Sequence, residues 1–255
     1  KQRNLKSLEA LYNLSLMNPT VEPHLIAQDI LNLHSIAVKL RDKRFASGAL
    51  KLDSVRLSFT LDEDGNPTGY YQYIQRESNR LVEEFMSLAN MSVAEFIYKV
   101  FPKAALLRRH PPPNQRKMNE YVKFLASLGI QLSGTSSAEL HRYLETCHLR
   151  YPGIENIRRI LEELTTRPMQ VAQYFCSAEI DDLQIKDYGH HYALNVPYYT
   201  HFTSPIRRYP DLVVHRTLQA ALLATQQKPI PDGFVVPSDS LKEWASYCNN
   251  KKLNA

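Results

Sequence analysis

The residues best equipped for chemistry lie between Tyr198 and Arg216, in the run YYTHFTSPIRRYPDLVVHR. Adjacent tyrosines, a histidine, three hydroxyl side chains and an Arg-Arg pair stand close together there. A guanidinium presents a planar fork that matches phosphate oxygens two at a time, which a lysine ammonium does not. Ser204-Pro205 predicts a helix start, because a serine side chain accepts from orphan backbone N–H groups and proline at the first helical position loses no hydrogen bond. Such a helix carries Arg207 and Arg208 in its first turns and points free N–H donors and the positive dipole end at an anion. Tyr198, Tyr199, His201 and Phe202 offer stacking faces beside it. The combination reads as a grip on a nucleic-acid backbone. The same pattern also fits a solvated helix face. Pro210 interrupts it by removing the bond to residue 206, so the helix is either kinked or begins properly only at Pro210. In both cases Arg207 sits at a turn.

The elements that must position this run follow from periodicity. Leu5 to Met17 has helical spacing, broken by Asn18-Pro19 and Pro23. From Ala27, apolar Ile30, Leu31, Leu33, Ile36, Ala37 and Leu40 recur at helical steps and end in Arg41, Lys43 and Arg44, cations that suit a helix C-terminus more readily than a direct RNA contact. Arg56–Leu61 and Tyr70–Gln75 read as strands joined by the turn residues DEDGNPTG. A broad apolar arc predicts a central helix from Asn79 to Val100. Inside it Glu83 and Glu84 interrupt the apolar stretch. A buried carboxylate must be paired or shift its pKa, so the pair forms either a salt bridge with an arginine or part of an active site. Arg108, Arg109 and His110 precede a stiff Pro111-Pro112-Pro113 segment, read as a bend inside one domain. Helices are predicted at Gln115–Leu128, Ser137–Cys147, Ile154–Leu164 and Pro168–Cys176, a loop at Asp181-Asp182, a strand at Tyr192–Tyr198, and a last helix in SLKEWASYCNNKKLNA. The fold class is therefore α+β, helix-rich, with the hairpin and the Tyr192–Tyr198 strand joining a mixed sheet flanked by helices.

The chain has 255 residues, a net charge of +5 and a pI near 9.0, a balance that favours a polyanionic partner. Cys147, Cys176 and Cys248 are odd in number and far apart, which argues against a disulfide framework or a thiolate zinc site and for buried thiols in a reducing, intracellular setting. No apolar run approaches the ~20 residues of a membrane span. His190 and His191 are adjacent and would point to opposite faces of a strand, with no acidic or thiol partner at ligand spacing, so no metal site is read from them. His34, His141, His148 and His215 lie in helical patterns and read as core or surface residues. GxSxG, P-loop and dinucleotide-binding patterns are absent. The chain opens at Lys1 without a methionine and stops at Ala255 within a helical pattern, as expected of part of a longer protein.

The stretch HYALNVPYYTHFTSPIRRYPDLVVHR resembles the signature of the RNase II / RNase R superfamily, the RNB exoribonuclease domain. GALKLDSVRLSFTLDEDGNP, ESNRLVEEFMSLANMSVAEFIYKVFPKAALLRRHPPP and TRPMQVAQYFCS resemble its eukaryotic Dis-three-like-two branch, the cytoplasmic exonuclease without a PIN domain; the likeness runs from about Asp29 to Asn249. The resemblance implies a monomeric 3′-to-5′ exoribonuclease that hydrolyses single-stranded, 3′-uridylated RNA to nucleoside monophosphates with Mg2+, with no DNA or membrane partner. Arg207 matches the family's catalytic arginine, and Tyr199, His201, Thr203, Ser204 and Arg208 match positions that hold the strand. The VEE motif assigns Glu84 to the catalytic end of the channel and Glu83 to RNA binding, although the sequence leaves open which of the two faces it. Asn195 in YALNVP is either a base-edge reader or a turn residue before Pro197. The family's magnesium ligands are aspartates in a motif upstream of the matching segment, and this chain has no comparable motif. They are expected before Lys1, as are OB-type domains, with an S1 domain after Ala255; part of the sheet lies upstream too, so the piece alone should be poorly stable. A second class is implied by fungal relatives that keep the fold without the aspartates, namely an inactive RNA-binding protein.

Overall fold

The computed structural model describes residues 23–50, 57–72, 74–151, 156–185 and 187–253. The expected Leu5–Met17 helix lies outside them. By its contacts the chain divides into two units, residues 1–43 with 75–85, and residues 44–74 with 86–255.

The first unit contains most of α1 (Pro23–Ala46) and the opening turns of α2 (Glu77–Val100). The predicted helix in α1 is present, but its apolar stripe is covered only toward its end, at Ala37 and Leu40: Leu31 is 60% exposed and Ile36 46%. A helix of this length satisfies its own backbone, so helical periodicity alone does not guarantee a packed face. Arg41, in the basic cluster of α1, pairs with Glu77 at 3.2 Å, and Arg80 approaches the same carboxylate at 2.9 Å.

In the second unit, β1 (Leu57–Leu61) and β2 (Pro67–Gln72) form the expected antiparallel hairpin. Asp62 Oδ1 accepts from the Asn66 backbone N–H at 2.7 Å and fixes the loop, while Gly65 supplies the positive φ of 83° that the turn needs. A second antiparallel ladder pairs β3 (Leu106–Arg109) with β4 (Gln173–Cys176). Helices α3 (Gln115–Ser127), α4 (Ser137–Arg150) and α5 (Ile157–Thr166) enclose one core around Leu125, Leu140, Leu144 and Leu161. Asn114 caps α3, and Ser136 with Glu139 forms a capping box on α4. A second core gathers Ile97 of α2, the β3–β4 ladder, and the last two helices, α7 (Tyr209–Thr225) and α8 (Ser238–Leu253). Between β4 and α7 lies α6 (Ala178–Leu183), a single short helix.

Four-residue strands survive here because both edges of their ladder are satisfied. On the β3 side, Arg108 N–H donates to Tyr199 O at 2.8 Å, and the Thr200 hydroxyl donates to Leu106 O at 2.7 Å. On the β4 side, the Asn249 side chain of α8 takes the Tyr174 N–H and returns a bond to Tyr174 O, both at 2.8 Å. An edge covered by side chains and loop is an alternative to a further strand.

The α+β, helix-rich class is as the sequence indicates, but several elements differ. Pro168–Cys176 is not a helix: it is irregular up to β4, whose aromatic run Tyr174-Phe175 packs into the core as a strand. Tyr192–Tyr198 is a turn carrying only isolated bridges, because Asn195 takes a left-handed φ of 53° and reverses the chain. Asp181-Asp182 is helical within α6, with Asp182 paired to Lys242 at 2.7 Å. Among the described residues the strands therefore form two separate two-stranded antiparallel ladders and no mixed sheet. Cys147 and Cys176 are buried thiols, and Cys248 is half-buried.

Phe175 is the largest fully buried side chain and meets Tyr188 edge to face at 5.5 Å. Phe175→Ala should lower the unfolding free energy by about 3–5 kcal/mol. Phe59→Ala on the exposed hairpin should lower it by less than about 1 kcal/mol. Urea denaturation of the two variants checks the contrast.

Candidate functional site

The SPIRR run does not begin a helix. Residues 205–207 form a turn closed by Arg207 N–H and Arg208 N–H, which reach Ser204 O at 3.3 and 3.2 Å. α7 starts at Tyr209, after an extended Arg208 (φ −131°, ψ 117°), with Pro210 in its first turn where the missing N–H costs nothing. Of the two courses the sequence left open at Pro210, the helix takes the later start. The Ser204 hydroxyl is therefore not the cap, and neither arginine lies in a helical first turn.

Asp211 takes over the anchoring. It is fully buried, and its Oδ1 accepts from Ser204 N–H and from Arg208 Nη2, each at 2.7 Å. Its Oδ2 and the Arg208 Nε find no hydrogen-bond partner among the described residues. The lock sorts the two arginines. Arg208 is drawn inward onto Asp211, while Arg207 stays exposed at the turn, with its Nη2 3.5 Å from Ser204 Oγ. Ile206, just before the arginine pair, is fully exposed.

The segment before the turn is held by Asn90 of α2, which is 4% exposed. Its Nδ2 donates to the Tyr199 hydroxyl and its Oδ1 accepts from Phe202 N–H, both at 2.9 Å. The His215 ring stacks on Phe202 at 4.2 Å and bonds the Phe202 carbonyl at 2.8 Å. His201 Nδ1 lies 2.7 Å from the Tyr174 hydroxyl, and Arg108 places its guanidinium 5.0 Å from the centre of the Tyr174 ring. Burial, then the cations Arg108 and Arg208, push His201 down to about 3. Burial, then His110 and Arg108, push His191 down to about 3 as well. Burial raises Tyr199 above the usual phenol range. At neutral pH the pocket thus presents neutral imidazoles and intact phenols beside fixed arginine charge.

The structure brings Tyr199, His201, Thr203, Ser204, Arg207 and Arg208 together on the loop from 198 to 208. Asn195 stands on the left-handed turn, where its Nδ2 donates to Ser47 O. Gly48 is required beside it, because an added Cβ would lie 2.8 Å from Ala138 Cβ and 3.0 Å from that same amide. Glu83 and Glu84 belong to the other unit; there Glu83 accepts from Gln75 Nε2 at 2.7 Å, and Glu84 is buried. Sequence reasoning missed Asn90, Tyr174 and Asp211. Only Asp211 carried a local signal, an acid in the first turn after Pro210. Among the described residues no three His, Cys, Asp or Glu side chains come together as metal ligands, and no helix is long and apolar enough to cross a membrane.

A family model of the RNB domain matches residues 2–224. The chain belongs to the RNB domain family. DIS3-like exonuclease 2 of Xenopus tropicalis is 46% identical over 228 residues, covering 89% of this chain and 26% of that protein. Inactive exonuclease DIS3L2 of Arabidopsis thaliana is 44% identical over 266 residues, covering 90% and 25%. The chain spans about a quarter of the length of these curated relatives. Mycoplasma genitalium RNase R superposes with a TM-score of 0.74 in its apo form, at 20% identity over 94% of this chain and 36% of that one. Its complex with ribose-methylated single-stranded RNA gives 0.71, at 22% identity over 94% and 36%. At that identity the likeness is one of fold.

The buried histidines of this RNB domain predict a pH dependence. Their folded pKa lies below the ordinary 6.5, so the unfolded chain takes up protons first. Their contribution is fully present above about pH 6.5 and is lost as pH falls toward 3, each adding a slope of about 1.4 kcal/mol per pH unit. Urea titrations between pH 7 and 4 should show this loss, and His191→Gln and His201→Gln should each flatten it by about one proton.

Proposed function

We propose that this chain is the strand-gripping part of a 3′-to-5′ exoribonuclease that hydrolyses single-stranded RNA, 3′-uridylated by preference, to nucleoside 5′-monophosphates. The observation that carries the proposal is the sorting of the arginine pair: Arg208 is spent on Asp211, whereas Arg207 is presented outward on a loop anchored at Ser204, Tyr199 and Phe202. A cation so placed can meet charge developing on a phosphate without reorganising at the moment of reaction. RNase R, whose fold this chain shares, is a protein solved with single-stranded and with double-stranded RNA, which supports RNA as the partner.

In this reading Tyr199, held by Asn90, and His201, held by Tyr174, form the wall against which the strand lies, with Thr203 and Ser204 beside it. Because His201 stays neutral, it adds no charge that varies with pH. Glu83 and Glu84 are assigned to RNA contact and to the catalytic end, near which the family motif sets the pair, and Asn195 to RNA contact on the strength of its amide. Magnesium supplies an activated water and neutralises the phosphate. In the proposal its ligands are the aspartates that the family resemblance sets upstream of the matching segment; the described residues hold no ligand cluster. A monomer in the cytoplasm, acting on RNA and not DNA, completes the reading.

An inactive RNA-binding protein is the second reading, favoured by the Arabidopsis relative called inactive, which is nearly as similar over this segment as the Xenopus enzyme. Single-turnover cleavage of an end-labelled RNA by the intact protein separates them. Wild type should cleave, and Arg207→Ala should slow cleavage of bound RNA about a hundredfold while leaving affinity nearly unchanged, since affinity is spread over many phosphates. Arg207→Lys should rescue only in part. Binding without cleavage by wild type establishes the inactive reading, and wild-type cleavage by Arg207→Ala removes Arg207 from the reacting phosphate.

A further inference from the structure

Arg108 lies over the Tyr174 ring and adds to burial in lowering the pKa of His191 and His201, and its own charge is buried. It sits mid-strand in β3 and is only 9% exposed. Two other inward arginines have carboxylates: Arg208 has Asp211 at 2.7 Å, and Arg158 has Glu162 at 2.8 Å and Glu145 at 2.9 Å. Arg108 makes no ion pair among the described residues. The groups that act on it include the Tyr174 and Tyr199 phenols and the cations Arg208 and Lys252, and its own charge adds to burial in lowering the pKa of His110, His191 and His201. Of these cations, Arg208 is itself paired with Asp211. The neighbouring phenols are suited to an anion as well. The Tyr199 oxygen accepts the Asn90 amide and so keeps its own proton to donate.

A desolvated guanidinium without a counter-charge is costly, and an apolar residue of the same length would be cheaper for folding alone. Such a group persists where an external anion completes it. We propose that Arg108 is an anion-binding residue that takes a phosphate of the bound RNA behind the SPIRR turn, with Tyr199 as a second donor. The identity of that phosphate as part of RNA rests on the proposed function; the anion site does not. Neighbouring Arg109 is not such a site, since its guanidinium stacks 3.8 Å from the Tyr188 ring centre and its Nη2 donates to Gln173.

The test uses the intact protein with Arg108→Met and Arg108→Lys. Three quantities are read: melting temperature, its rise with inorganic phosphate, and the salt dependence of oligouridylate affinity. A ligand-serving charge predicts that Arg108→Met melts at or above the wild-type temperature, loses the phosphate-induced rise, and binds RNA about tenfold more weakly with a salt slope shallower by about one. Arg108→Lys should retain part of both responses. If Arg108→Met melts lower while its phosphate response and RNA affinity match wild type, Arg108 is a packing residue and the proposal is overturned. If wild type binds no RNA, the exoribonuclease reading fails by itself: an Arg108-dependent phosphate response then upholds the anion site, and a response that Arg108→Met leaves unchanged, or no response, removes it.

Discussion

A single buried carboxylate holds the functional loop of this RNB domain. Asp211 is out of contact with water, and one of its oxygens is shared between a backbone N–H seven residues earlier and the guanidinium three residues earlier. Without it, Arg208 would be an unpaired cation beside Arg108, and the turn from Ser204 would lose the bond that closes it onto α7. Leaving one member of a buried pair unpaired typically costs about 3–5 kcal/mol. The same bond explains why adjacent arginines of identical chemistry have opposite fates, one turned inward as structure and the other outward as a free charge.

The rest of the site is a consequence of satisfying backbone groups where no further strand is present. The segment 199–200 runs along β3 in place of a strand, so its carbonyl and hydroxyl are committed to the ladder, and the aromatic side chains of Tyr199 and His201 are fixed in orientation. Asn90 then ties that segment to α2 at both Tyr199 and Phe202. The pocket so formed is rich in fixed positive charge and poor in titratable charge, because burial keeps His191 and His201 neutral. Such a surface attracts a polyanion with a strength that salt, and not pH, controls.

Most long helices were legible because their signals are local, whereas Asp181-Asp182 of the short α6 reads as a loop and Pro168–Cys176 as a helix. The apolar arc of α2, for one, recurs at three- and four-residue steps along a single stretch of chain. β3 and β4 were not legible, since four-residue strands carry too short a pattern and depend on distant partners such as Asn249 and Tyr199. Tyr192–Tyr198 misled for the converse reason: its aromatic and β-branched residues suit a strand, but Asn195 turns the chain. At the site, the arginines and aromatics could be read as polar groups on a turn. The roles of Asn90, Tyr174 and Arg108 exist only through contacts far away in sequence, and the helix start shifted because Asp211, four residues past Arg207, outcompetes Ser204 as the anchor.

The Asp211–Arg208 lock is most directly tested by a double-mutant cycle on unfolding free energy, comparing wild type, Asp211→Asn, Arg208→Met and the double variant. Direct pairing in a buried setting predicts that each single change is strongly destabilising and that the double variant costs less than their sum by about 1–3 kcal/mol. Costs that add to within about 0.5 kcal/mol would show the two side chains to be independent and would contradict the account of how the loop is held.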